Sequence, residues 1–217
     1  MNVSDAVAHR KSIRNFLDTP VTNKVLQELL QKSARAPSGG NLQPWQIYVV
    51  NGDRMTDLRT HLKGFTGREE PAYPIYPPNL GEPYRSRRFK VGEDMYALLG
   101  IPREDKPARF AHLARNFDFF GAPAGFFCYV DRNMGPPQWS DLGMFLQTFM
   151  LLAAEAGLAT CAQEAWATRP NAVGSFVGAP EEQMLFCGMA LGVADEAAPV
   201  NALVSDRDDF DRWARFV

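Results

Sequence analysis

The sequence predicts an α+β fold, a mostly antiparallel sheet with helices around it, and three observations predict it. Helices and non-adjacent strands alternate irregularly along the chain. Two continuous apolar runs, Ala124–Val130 and Leu185–Val193, read as buried strands. Leu142 to Ala156 is apolar nearly all round, with Gln147 and Thr148 as interruptions, which marks a central helix beginning at Asp141 and ended by Gly157.

The elements follow in order. Residues 3–10 form a short helix with Val3, Ala6 and Val7 on one stripe. Thr22 is a plausible N-cap for a second helix through Leu26, Leu29, Leu30 and Ser33. The run 35–45 is a helix-to-strand loop, followed by a strand, Gln46 to Val50, that Asn51-Gly52 ends. Met55, Leu58 and Leu62 predict a helix over 53–63. Residues 64–92 are irregular, broken by Gly67, Pro71, Pro74, Pro77, Pro78, Gly81 and Pro83. Such a stretch in a compact chain suits a lid or a subunit arm. Its Tyr73, Tyr76, Tyr84, Arg85, Arg87, Arg88 and Lys90 could also suit single-stranded nucleic acid. Helices are expected over Phe89–Leu99 and Pro107–Phe117, and Gly135-Pro136-Pro137 reads as a loop. Leu158 to Glu164 is a short strand and Asn171 to Phe176 a helix opened by Pro170. The aromatic tail, Phe210, Trp213 and Phe216, is expected to dock on a surface.

Composition narrows the function. The 217 residues suit one domain, 1–217, with 46% apolar and 22% charged residues. A net charge of −2 gives no reason to expect nucleic acid or an anionic membrane as partner. Cys128, Cys161 and Cys187 form no Cys-x-x-Cys, and so sparse a count fits a reducing cytoplasm. Residues 1–6 show no leader pattern, and no apolar stretch is long enough to span a bilayer. P-loop, Rossmann and nucleophile-elbow motifs are missing. His9, His61 and His112 are scattered, so no metal site is expected.

Two stretches carry the chemistry. His9-Arg10-Lys11-Ser12-Ile13-Arg14 sets three cations and a hydroxyl within five positions, a set that grips phosphate or merely forms a solvated face. Ala36-Pro37-Ser38-Gly39-Gly40-Asn41-Leu42-Gln43-Pro44-Trp45 combines a fixed φ, two permissive glycines, three polar side chains and an indole anchor. Together they suit an anion joined to a flat ring, with no protein-supplied nucleophile.

In order and spacing these two motifs resemble the FMN-dependent nitroreductase family, and its nitroaromatic-reducing branch most closely. The resemblance runs over nearly the whole chain, with residues 65–110 the part it does not place. It implies a nitroreductase-like intertwined homodimer and a cycle in which NADPH or NADH reduces FMN before a nitroaromatic or quinone-type acceptor is reduced by ping-pong hydride transfer. It implies that Arg10, Ser12 and Arg207 hold the FMN phosphate, with Lys11 beside them and Ser205 where some relatives carry Lys. Arg14 would face the pyrimidine edge of the flavin. Pro37, Ser38, Gly39 and Asn41 would line the ring from the other subunit, and Asp141 would lie near another interface contact. Ala162, Gln163, Glu164 and Ala165 match the segment near the reactive N5. The same Pro-Ser-Gly loop admits two alternatives: a flavin enzyme for reductive dehalogenation or flavin fragmentation, and a non-catalytic flavin-binding sensor.

Overall fold

The computed structural model describes all 217 residues. Strands β1 (Gln46–Asn51), β2 (Ala124–Asp131), β3 (Ala159–Gln163) and β4 (Gln183–Gly192) form one sheet in the order β1-β2-β4-β3. Every neighbouring pair is antiparallel, as the sequence predicts.

Strand β2 is buried from Ala124 to Val130. Phe126, Cys128 and Val130 enter one core, shared with helices α2 (Asn23–Ser33) and α6 (Pro136–Glu155). Phe127 and Tyr129 enter a second core, shared with α3 (Asp53–Leu62) and α7 (Pro170–Val177). Burial on both faces explains the unbroken apolar run.

The ladder shifts beside Cys128: Cys128 pairs with Cys187, but Tyr129 pairs with Leu185, leaving Phe186 as an extra residue. This bulge changes the parity of β4, so that Met184 and Cys187, three positions apart, reach the same core. Gly188 is required there, because a Cβ would stand 2.3 Å from the indole Cδ1 of the fully buried Trp166.

Helix α1 (Val3–His9) and the Thr22 cap of α2 are as expected; Thr22 Oγ1 accepts the Val25 N–H at 3.3 Å. Three boundaries differ. Helix α4 (Tyr84–Leu98) begins within the stretch read as irregular to residue 92, which therefore ends at Pro83. Pro83 takes the cap position, and the Glu82 carboxylate accepts the Ser86 N–H at 3.2 Å, closing the first turn. Helix α6 begins at Pro136 rather than Asp141. Prolines are tolerated in a first turn, whose N–H groups lack helical partners, and the Gln138 side chain accepts the Gly135 N–H at 3.1 Å. Helix α5 (Lys106–Ala114) stops short of Phe117, passing into 3₁₀ turns at Arg115–Gly121. Phe119 and Phe120 adopt left-handed φ values of 48° and 56° there, and both side chains are buried.

Residues 69–73 are tied to the body. The Glu69 carboxylate accepts the Asn171 N–H at 2.6 Å, and the Ala72 N–H donates to the Ala167 carbonyl at 2.8 Å. The tail aromatics pack on one another, Phe210 against Trp213 and Phe216, and Trp213 stays 69% exposed. The tail therefore docks its rings on no core of this chain.

Two outcomes follow from packing and burial. Gly188→Ala should cost about 2 kcal/mol or more of unfolding free energy in urea, because neither Trp166 nor the backbone has room to give. His112 is buried on α5 with Nε2 unpartnered; burial, then the charges of Arg115 and Arg14, lower its pKa. The unfolded chain then binds the extra proton first, so stability present at neutral pH is lost as pH falls below the ordinary value of 6.5. His112→Gln should flatten the slope of stability against pH between about pH 5 and 7 relative to the unaltered chain.

Candidate functional site

The basic segment is laid along the edge of the sheet. After α1, Ser12 bridges in parallel to Thr160 of β3, and the Ile13 N–H donates to the Thr160 carbonyl at 3.0 Å. Ile13 and Phe16 are buried anchors. The Arg14 N–H donates to Asn201 Oδ1 at 2.8 Å, and Asn201 Nδ2 donates to the Asn15 and Asp195 carbonyls at 2.8 and 2.9 Å. Asn201 thus fixes the backbone that carries Arg14. Sequence reading missed it, since a lone Asn between Val200 and Ala202 has no local signature.

The result is a pocket of about 650 Å³ lined by Arg10, Lys11, Ser12, Arg14, Ser205 and Arg207. Its lining contains four cations of Lys or Arg type and no carboxylate. None of the four joins an ion pair. Arg207 could have been neutralised by its flanking aspartates, but Asp206 pairs with Lys90 at 2.8 Å and Asp208 pairs with Arg87. Arg207 Nη1 donates instead to the Ser205 hydroxyl at 2.8 Å and to the Ser205 and Asp206 carbonyls. Gln147 also lines this pocket, exposed on α6. By sequence Gln147 reads as either a satisfied core amide or a ligand or interface group; the helix turns Gly143, Met144 and Gln147 outward, which rules out the core amide.

The glycine loop forms a second cluster. Gly40, Asn41 and Gln43 take φ values of 58°, 57° and 50°, and the Ser38 hydroxyl accepts the Gln43 N–H at 3.0 Å. Pro37, Gly39 and Asn41 are exposed. Asp141, buried on α6, accepts the Gly39 N–H with both carboxylate oxygens at 3.3 Å. Trp45 stacks on Phe145, with ring centroids 4.9 Å apart. None of Pro37, Ser38, Gly39 or Asn41 lines the basic pocket of the same chain.

The third cluster ends β3. Ala162 and Glu164 are exposed, Ala165 is half-buried and Gln163 is buried. Gln163 donates to the Asn116 carbonyl at 2.9 Å and accepts from Trp166 Nε1 at 3.4 Å, so only its backbone is available outside. Partial desolvation raises the pKa of the Glu164 carboxyl. Nearby, the Tyr73 hydroxyl donates to the carbonyl of the bulged Phe186. Burial, then the neighbouring Cys187 thiol and Glu164, hold the Tyr73 phenol well above its usual pKa.

Fold and pocket together define a class: an α+β protein with one antiparallel sheet and a carboxylate-free cationic pocket at the sheet edge. The chain belongs to the nitroreductase family, whose model matches residues 7–193. It is 38% identical over 213 residues to a 4-nitrobenzoate reductase of Pseudomonas putida, covering 97% of this chain and 93% of that protein. It superposes with a TM-score of 0.96 and 45% identity on the FMN and NADPH-dependent nitroreductase NfnB of Sphigopyxis sp. strain HMH, covering 100% of this chain and 99% of that one. The FMN-dependent nitroreductase NfnB of Mycobacterium smegmatis, in complex with NADPH, matches with a TM-score of 0.89 at 25% identity over 100% of both chains. No helix is long and apolar enough to cross a membrane.

Asp141→Ala should cost about 1–2 kcal/mol in chemical denaturation, since it deprives the Gly39 N–H of a charged acceptor. Asp141→Asn, which keeps an oxygen in place, should cost less than half as much on that scale.

Proposed function

We propose that this protein is an FMN-dependent oxidoreductase that uses NADPH or NADH to reduce nitroaromatic or quinone-type acceptors. The observation that carries the reading is the pocket with four unpaired cations and no carboxylate. That donor set fits the phosphate of FMN: Arg10 and Arg207 offer forked donors, Lys11 a point charge, and Ser12 and Ser205 hydroxyls. Arg14, fixed through Asn201, presents a cation in the pocket beside β3, where it favours the electron-rich state of a bound ring. When bound, FMN supplies hydride transfer between a nicotinamide and an electron-poor acceptor. The names of the relatives point to nitroaromatics as acceptors.

The reading includes a homodimer. In one chain the glycine loop lies apart from the basic pocket, so Pro37, Ser38, Gly39 and Asn41 could cover a ring only in a second copy. Leu42 beside that loop is 53% exposed, Met144 on α6 38% and Val7 on α1 54%, apolar surface suited to such a partner. The backbone at Ala162, Gln163, Glu164 and Ala165 then closes the remaining side, with residues 64–83 as an arm over the entrance.

The purified protein should be yellow and should bleach when NADPH is added under argon, and double-reciprocal plots against acceptor should be parallel. Colourless folded protein that takes up no added FMN would overturn the reading. Arg10→Ala and Arg207→Ala should each weaken FMN binding about tenfold or more, by fluorescence titration.

A further inference from the structure

Ion pairs clasp the C-terminal loop to α4. Lys90 Nζ pairs with Asp94 at 2.7 Å and with Asp206 at 2.8 Å, and Arg87 pairs with Asp208. Folding stability does not account for the clasp. The Lys90 and Asp206 side chains are 59% and 67% exposed, and ion pairs so open to water contribute little. What the clasp settles is where two carboxylates point. Asp206 and Asp208 flank Arg207 directly in the chain. Ser205 and Arg207, on either side of Asp206, both line the pocket assigned to the FMN phosphate, yet neither Asp206 nor Asp208 does. Val91, the residue after Lys90, lines that pocket as well, so the helix that holds the acids reaches the edge of the cradle. Arg207 is left with uncharged acceptors alone, the Ser205 hydroxyl and the Ser205 and Asp206 carbonyls.

Turned toward Arg207, the two aspartates would cut the four positive charges of the pocket lining to a net two. We propose that Lys90 and Arg87 are positioning residues for the cofactor: by holding Asp206 and Asp208 on α4, they keep Arg207 free of an internal counterion and so available to the FMN phosphate. The proposal rests on the oxidoreductase reading above. At the separations of neighbouring side chains, screened by water, each released carboxylate weakens the binding of an anion about threefold to tenfold. The clasp acts on affinity by diverting charge, not by bracing the loop. The two roles part at Asp206 itself: its carboxylate is half of the clasp, but it is also the group that would compete with the phosphate.

The test dilutes the FMN-loaded, full-length protein and reads the fluorescence of released FMN, which gives a Kd without turnover. Lys90→Gln and Arg87→Gln should each raise the Kd about threefold to tenfold. Lys90→Arg, which keeps the charge, should stay within about twofold of the unaltered chain. Asp206→Asn breaks the same ion pair as Lys90→Gln, yet it should bind FMN as tightly as the unaltered chain or more tightly. The double variant Lys90→Gln/Asp206→Asn should recover the affinity that Lys90→Gln loses. A loss in Asp206→Asn matching that in Lys90→Gln would overturn the proposal, because the clasp would then serve only to brace the loop. So would an unchanged Kd in Lys90→Gln, or a double variant that fails to recover. Failure of the flavin reading shows separately, as an unaltered chain that holds no FMN before any variant is compared.

Discussion

Strand β2 has no face turned to water, and the rest of the architecture answers that constraint. Its even-numbered side chains need α2 and α6, and its odd-numbered ones need α3, α7 and the Phe119–Phe120 turn. With both faces occupied, polar chemistry has nowhere to go but the rim of the sheet. On one rim β3 presents main-chain groups that would otherwise be open to pairing. The segment from Ser12 to Phe16 satisfies part of that edge, and its charges are positioned as a consequence.

The pocket so formed is electrostatically expensive. Four like charges without a carboxylate repel one another, and partial burial raises the cost over that in water. The chain had nearby means to relieve it, yet Asp206 and Asp208 are both diverted to α4. Charge left uncompensated beside available counterions is the mark of a site whose counterion arrives from outside. Asp141 is the opposite case: a buried carboxylate spent on one backbone N–H, which holds the glycine loop in a conformation with three left-handed residues.

Much of this was legible in local pattern. The runs at Ala124–Val130 and Leu185–Val193 marked two-sided strands, Thr22 marked a cap, and the spacing of cations and glycines marked two candidate surfaces. Proline misled at both helix starts: Pro83 and Pro136 read as breakers, although a first turn is where a helix can hold one. Phe119 and Phe120 in left-handed conformation have no propensity signal; burial compels them. Gln147 stayed open between a core amide and a ligand or interface group, because a helix apolar nearly all round conceals which face is open. Asn201 was illegible for a different reason, since its partner Arg14 lies 187 positions away in the chain.

That separation bears on how the protein comes to exist. The hydrogen bond from Arg14 to Asn201 closes a loop of 187 positions, and contacts of such long range are slow to form. Synthesis from the ribosome presents Arg14 187 positions before Asn201, with all four strands between them, so the cationic cradle is completed only after the sheet's strands have been made. A nascent chain cannot capture its ligand piecemeal. Occupancy of the cradle would therefore report assembly of the sheet that separates the two segments, and a ligand held there would stabilise the entire domain by mass action rather than one segment alone.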